Sequence, residues 1–161
     1  MTCTLSGGGR AENVGGTRKN GSVSNPELVT ALDLDQWSGS MASKPMLPVL
    51  VRRLILATTS VTEITMRAGE GVLLSGWDGL VRGDVDDPHV PRGVSAWELG
   101  TKKRVRSKAQ SDLKGRTGTP LGVDPATTTY VAVTSRRWPG RDDWRDDWRA
   151  AGPWADRRAH V

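Results

Sequence analysis

Apolar residues near the start of the chain follow a helical period. From Leu47 onward they recur at every third or fourth position, which predicts an amphipathic helix with Pro48 in its first turn. A shorter helix that carries Trp37 and Met41, with Asp33 or Asp35 as its N-cap, is predicted before it. The proline-containing segment 44–48 is expected to separate the two helices.

The pattern then changes to the alternation that is typical of strands. Ile64, Met66 and Ala68 alternate with polar residues, which predicts a first strand that is half buried. We predict two further strands before the next helix. The remaining predicted elements are a second strand over 77–81, a third over 94–99, a basic helix to Gly115, a strand over 128–133, a charged helix over 136–151, and a last strand over 155–161. This mixed order favours an α/β fold in which helices flank a mixed sheet. Because the last strand has nothing after it, we expect the domain to be truncated at its C-terminus.

Composition places the chain among single-domain proteins. Of the 161 residues, 36% are hydrophobic and 25% are charged. Residues 1–26 are rich in Gly, Ser, Thr and Asn and are predicted to form a disordered leader, which leaves one domain over 27–161. No apolar run approaches the roughly 18 residues of a membrane span, and no signal-peptide pattern is present, so we expect a cytoplasmic protein with no membrane partner. The single cysteine, Cys3, excludes an internal disulfide.

Charge is distributed unevenly along the sequence. Residues 61–101 hold three Arg against seven Asp or Glu, a net charge of −4, whereas residues 102–116 hold seven Lys or Arg against one Asp, a net charge of +6. A basic segment attracts polyanions, and an acidic cluster can hold a hard divalent cation. Together they suggest metal-dependent chemistry on a phosphodiester. The alternative is a solvated charged helix beside an unrelated loop.

Two carboxylates stand out because they lie in otherwise apolar strands. Asp78 and Glu98 are costly to bury unless they are paired, hydrogen-bonded or bound to a metal. Their spacing fits two adjacent strands of a hairpin, where both could bind one Mg²⁺ or Mn²⁺. The neighbouring Trp77 and Trp97 are then predicted to face the opposite side of the sheet and pack against a helix. Asp78 before Gly79 is also typical of a turn.

The order helix–β–β–β–helix–β, with Asp78 on the second strand and Glu98 on the third, resembles the PD-(D/E)XK restriction-endonuclease-like superfamily. Several segments also resemble the N-terminal domain of large bacterial proteins that continue into NTPase or repeat regions and look like antiphage defence systems. These segments are 68–72, 76–79, 91–95, 97–101, 121–125 and 131–138. The resemblance implies a restriction-endonuclease-like fold, Mg²⁺-dependent hydrolysis of DNA, and downstream domains that this chain lacks.

The sequence departs from the superfamily motif at the position of its lysine. That position, two residues after Glu98, is Gly100 here, so the resemblance implies that Lys102, Lys103 or Lys108 supplies the catalytic cation from a shifted position. The family's helix tyrosine is also replaced, by Leu113. The basic segment is predicted to contact the DNA backbone without reading sequence. Its predicted nucleic-acid-binding residues are Lys102, Lys103, Arg104, Arg106, Lys108, Lys114 and Arg116.

The leading hypothesis is therefore a metal-dependent endodeoxyribonuclease domain, with Asp78 and Glu98 as catalytic residues and metal ligands. The missing lysine at position 100 and the changed helix favour an alternative, a catalytically degenerate module that binds nucleic acid or a partner protein. A third hypothesis is a broken fragment with exposed apolar surface and little function of its own.

Overall fold

The computed structural model describes residues 29–69, 71, 75–149 and 152–161, with side chains described only to 147 in the last helix. The predicted disordered leader, 1–26, lies outside these residues. The described chain is an α/β fold in which helices flank a five-stranded mixed sheet. The elements are α1 (Ala31–Trp37), α2 (Ser43–Thr58), β1 (Val61–Met66), β2 (Gly79–Gly83), β3 (Gly93–Gly100), α3 (Val105–Gly118), β4 (Thr128–Thr134), α4 (Arg141–Arg149) and β5 (Asp156–His160).

The strands lie in the sheet in the order in which they occur in the chain. The pairs β1–β2 and β2–β3 are antiparallel, and the pairs β3–β4 and β4–β5 are parallel. Each parallel pair is connected through a helix, α3 for the first and α4 for the second, as parallel pairing requires. The predicted α/β class, the mixed sheet and the order of elements are confirmed, including the last strand.

Each face of the sheet is covered by its own apolar cluster. On one face α2 packs through Leu47, Val51 and Ile55 against Trp97 and Val131. The other face packs against α3 and α4. Its buried residues include Ala109 and Leu113 of α3, Trp144 of α4, and Trp77, Ala96, Tyr130 and Ala132 of the sheet side. The predicted helical stripe is therefore confirmed, except that Leu54 is 54% exposed.

The first helix is shorter than the sequence predicted. It ends at Trp37, and Met41 lies beyond it with 98% of its surface exposed. The N-cap is Thr30, whose side chain accepts a hydrogen bond from the Asp33 backbone N–H. Asp33, one of the expected caps, instead occupies the third helical position and accepts from the Thr30 N–H, which completes a capping box.

The second helix begins earlier than predicted. It begins at Ser43 and contains Pro45 and Pro48, so the segment expected to separate the helices is helical. Pro45 lies in the first turn, where a backbone N–H has no partner within the helix, and only Pro48 removes a helical hydrogen bond. As a consequence, an additional turn that carries Lys44 extends to the carboxyl end of β3.

Further boundaries also differ from the prediction. The second strand begins at Gly79 rather than Trp77, the basic helix continues through Gly115 to Gly118, and the charged helix begins at Arg141 rather than Arg136. The glycines at 115 and 118 have open space around them, and packing of the α3 apolar face against the sheet outweighs their weak helix propensity. Within the described residues, no helix is both long and apolar enough to cross a bilayer.

The packing of α4 gives a direct test of the fold. Trp144 has no exposed surface and contacts Trp138 with a ring-centroid separation of 5.0 Å. We expect Trp144→Ala to lower the free energy of unfolding by about 3–5 kcal/mol, because it removes a large buried ring. Met41→Ala is the matched control and should change it by less than about 0.5 kcal/mol. Urea unfolding followed by circular dichroism measures both, and equal stability of the two variants would contradict this placement of α4.

Candidate functional site

The register of β2 on β3 brings the two predicted acidic residues together. Gly79 is paired with Trp97, so Asp78, one residue earlier, lies across from Glu98, one residue later. Asp78 itself lies just before β2, but its carbonyl accepts a hydrogen bond from the Arg67 N–H at 2.9 Å and continues the ladder with β1. The adjacency that the sequence predicted for Asp78 and Glu98 is therefore present.

Each carboxylate has one oxygen bound by the protein. The Leu99 backbone N–H donates to Oδ2 of Asp78 at 2.7 Å, and Nε of Arg116 donates to Oε1 of Glu98 in an ion pair. Among the described residues, the other oxygens, Oδ1 of Asp78 and Oε2 of Glu98, have no hydrogen-bond partner. Both residues line the same cleft. One oxygen of each carboxylate is thus fixed by a described hydrogen bond.

Arg116 is held by three contacts at the end of α3. Besides Glu98, it donates from Nη2 to the Gly76 carbonyl at 2.5 Å, and its guanidinium lies 4.9 Å from the centre of the Trp77 ring. The side chain is only 23% exposed. These contacts orient Glu98, and the predicted contact of Arg116 with the DNA backbone stays a prediction.

The placement of Trp77 corrects one prediction. Trp97 faces α2 as expected, but Trp77 packs on the α3 side, at ring-centroid distances of 6.0 Å from Tyr130 and 5.7 Å from Trp154. The reason is that β2 begins only at Gly79, so strand alternation does not extend to Trp77. Gly76, with φ of 136°, turns the chain before it into a conformation that suits glycine. Trp77 therefore lies beneath Arg116 and lines the apolar side of the acidic pair.

Burial governs the electrostatics of the pair. Burial and, to a smaller extent, the negative charge of Asp78 raise the pKa of the Glu98 carboxyl to about 7, and the Arg116 ion pair acts in the opposite direction. Burial also raises the pKa of Asp78, against the lowering effects of the Leu99 N–H and the charges of Lys108 and Arg116. A buried carboxyl whose pKa is raised further by a neighbouring carboxylate is typical of functional sites.

The acidic pair opens into a cleft of about 520 Å³ at the carboxyl end of β3. One wall is formed by the first two turns of α2, with Lys44, Leu47 and Pro48. The opposite wall is the start of the β3–α3 connection and α3 itself. Four cationic side chains line the cleft, namely Lys44, Lys102, Lys108 and Arg116.

The structure separates the three lysines that were proposed to replace the motif lysine. Lys108 lines the cleft, and its Cγ lies 3.9 Å from the position that a Cβ on Gly100 would occupy. Its Nζ forms an ion pair with Asp112. Lys102 also lines the cleft, whereas Lys103 is exposed and lies outside its lining. Lys108 therefore reaches the space that a lysine at position 100 would use.

The remaining basic residues of segment 102–116 do not gather at the cleft. Arg106 forms an ion pair with Asp147 of α4 at 3.0 Å, and Arg104 and Lys114 are exposed outside the cleft lining. Lys114 lies six positions after Lys108, which places the two about 120° apart around the helix. The basic segment therefore presents its charge in several directions.

Sequence analysis missed Asp112, which pairs with a lysine of the cleft, and Lys44, which lines the cleft. Asp112 was not selected, although its spacing of four residues after Lys108 is typical of a helical ion pair and could have indicated it. Lys44 had no comparable signal. It reaches the cleft only because α2 begins before the prolines and docks beside β3, which depends on tertiary packing.

A hard divalent cation fits the donor set of the acidic pair. Within the described residues there is no group of three or more His, Cys, Asp or Glu arranged around a metal position. Mg²⁺, however, retains several waters and is commonly held by one or two carboxylates. Asp78 and Glu98, each with one oxygen outside any described hydrogen bond, meet that requirement.

Comparisons with known proteins give no match to a family model, a curated protein or a solved structure. The resemblance to the restriction-endonuclease-like superfamily therefore stays a prediction, and the geometry of the cleft is what bears on function.

The coupling between the two carboxyls is testable without any ligand. Because the charge of Asp78 raises the pKa of Glu98, Asp78→Asn should move that pKa from about 7 towards its ordinary value of 4.5. Arg116→Gln should move it upward, since the ion pair that lowers it is lost. Titration of the Glu98 carboxyl carbon by NMR measures both. A pKa that neither substitution moves would contradict the proximity of these groups.

Proposed function

We propose that this chain is a metal-dependent nuclease domain that hydrolyses phosphodiester bonds of DNA, with a restriction-endonuclease-like arrangement of its core. The observation that carries the proposal is the pair Asp78 and Glu98, side by side at the floor of a cleft whose wall presents Lys108. Two carboxylates and a lysine are the groups that such chemistry requires.

The topology supports the same proposal. The run from α2 to β4 has the order helix–β–β–β–helix–β that the resemblance implies, with two antiparallel pairs followed by a parallel one. Asp78 lies one residue before β2 and Glu98 near the end of β3, which matches the order of the motif acids. The setting in a cytoplasmic bacterial defence protein with NTPase or repeat regions is proposed from the motif resemblance alone.

We assign the following roles to the residues of the site. Asp78 and Glu98 would hold a Mg²⁺ or Mn²⁺ ion, which when bound offsets charge on the phosphate and makes a coordinated water more acidic. The Leu99 N–H and Arg116 keep the two carboxylates in fixed orientations. Lys108 would donate to a phosphate oxygen or orient the attacking water, and in this structure its ammonium group is paired with Asp112.

Removal of either acid should abolish metal binding and cleavage together. Asp78→Asn and Glu98→Gln each remove a ligand charge at nearly constant shape, so Mn²⁺ affinity and DNA cleavage should each fall at least about 100-fold. Glu63→Gln is the control, because Glu63 is an acid of β1 with 70% of its side chain exposed. Calorimetry with Mn²⁺, a plasmid cleavage assay and circular dichroism measure binding, activity and folding. Full activity in a folded Asp78→Asn variant would overturn the proposal.

The proposed catalytic role of Lys108 can be tested by removing this lysine and by placing a lysine at position 100. Lys108→Ala should reduce cleavage about 100-fold, whereas the exposed Lys103→Ala should leave it unchanged. A Cβ at Gly100 would have ordinary contacts, the nearest at 3.9 Å, so a lysine can be placed there. We expect the double variant Gly100→Lys, Lys108→Ala to recover activity over Lys108→Ala alone. A loss caused by Lys103→Ala, with none from Lys108→Ala, would show that the cation comes from elsewhere.

The alternative function is a nuclease-like module that binds nucleic acid without cleaving it. The ion pairs Arg116–Glu98 and Lys108–Asp112 favour it, because both neutralise charge within the site in the absence of any ligand. In that case a folded wild-type chain would bind no Mn²⁺, and its DNA binding would survive Asp78→Asn.

A further inference from the structure

The four cations of the cleft differ in how their charge is compensated. Lys108 is paired with Asp112 and Arg116 with Glu98. Lys44 and Lys102 form no ion pair among the described residues, and both side chains are exposed. The cleft therefore presents two uncompensated positive charges.

These two lysines stand on different walls. Lys44 belongs to the first turn of α2, and Lys102 follows the carboxyl end of β3, where the chain turns towards α3. The acidic pair lies on the floor of the same cleft. An anionic chain that passed from one wall to the other would place its charges at both lysines and a segment between them over Asp78 and Glu98.

The basic residues of α3 do not offer an equivalent path. Arg106 is paired with Asp147, and Arg116 is engaged by Glu98 and the Gly76 carbonyl. Lys114 is exposed but lies outside the cleft lining and about 120° around the helix from Lys108. A backbone that followed α3 would meet few uncompensated cations near the acidic pair.

We infer that a DNA strand crosses the cleft from α2 to the β3–α3 connection, with Lys44 and Lys102 binding the phosphates on either side of the one above the acidic pair. This inference rests on the proposed function and adds Lys44, a residue outside the basic segment, to the binding surface. The inferred path runs across the cleft rather than along α3.

Lysine contacts with phosphate have a measurable signature. Each contact releases condensed counterions from the DNA, so its loss weakens binding to all sequences alike and flattens the dependence of affinity on salt. Loss of one contact lowers the slope of log affinity against log salt concentration by about 1. A lysine that lies away from the path changes neither quantity appreciably.

The test uses the full chain and a fluorescein-labelled DNA duplex, with Ca²⁺ present and fluorescence anisotropy as the readout. Lys44→Ala and Lys102→Ala should each weaken binding several-fold at low salt and lower the slope by about 1. Lys103→Ala and Lys114→Ala are matched controls, because both remove an exposed lysine of the basic segment that does not line the cleft. Circular dichroism confirms that each variant is folded.

The possible results separate the two proposals. Weakening by Lys44→Ala and Lys102→Ala, with both controls unchanged, supports the path across the cleft. Weakening by Lys103→Ala and Lys114→Ala, with Lys44→Ala unchanged, overturns that path but leaves a DNA-binding domain. If the unsubstituted chain shows no salt-sensitive binding to DNA, the proposed function fails, and this inference fails with it.

Discussion

The antiparallel register between β2 and β3 is the constraint on which the site depends. Gly79 pairs with Trp97, and this single pairing sets Asp78 beside Glu98. A slip of one residue would turn Glu98 to the other face of the sheet, away from Arg116. The register is stabilised by burial on both faces, since Trp97 packs under α2 while Ala96 and Tyr130 pack under α3 and α4. The apolar core therefore specifies the position of two charged groups that it does not itself contain.

The carboxylates of Asp78 and Glu98 can be largely buried because each has a hydrogen-bond donor. A carboxylate that loses water needs hydrogen bonds or opposite charge in return. Asp78 obtains a backbone N–H from Leu99, and Glu98 obtains the guanidinium of Arg116. Neither partner satisfies both oxygens among the described residues, and the pKa of Glu98 stays near 7. One oxygen of each carboxylate therefore stays outside any described hydrogen bond.

Local periodicity was sufficient to predict the strands and the acidic pair, but not the cations around it. The spacing of Asp78 and Glu98 fits neighbouring strands, and the alternation of apolar and polar residues indicates where the strands lie. The choice among Lys102, Lys103 and Lys108 depends on how α3 docks, and Lys44 enters through the early start of α2. Trp77 was misplaced because β2 begins two residues later than its pattern suggested. The misplaced features depend on where elements begin and how helices pack, which the local pattern does not determine.

The contacts of Arg116 have a consequence for the order in which the site forms. One side chain joins three distant parts of the chain, namely Gly76, Glu98 and the last turn of α3. Glu98 is therefore held only while that last turn is helical, and the turn includes the flexible glycines 115 and 118. Fraying there would release the carboxylate without melting the sheet, so that local unfolding of one helix end and loss of the site are a single event.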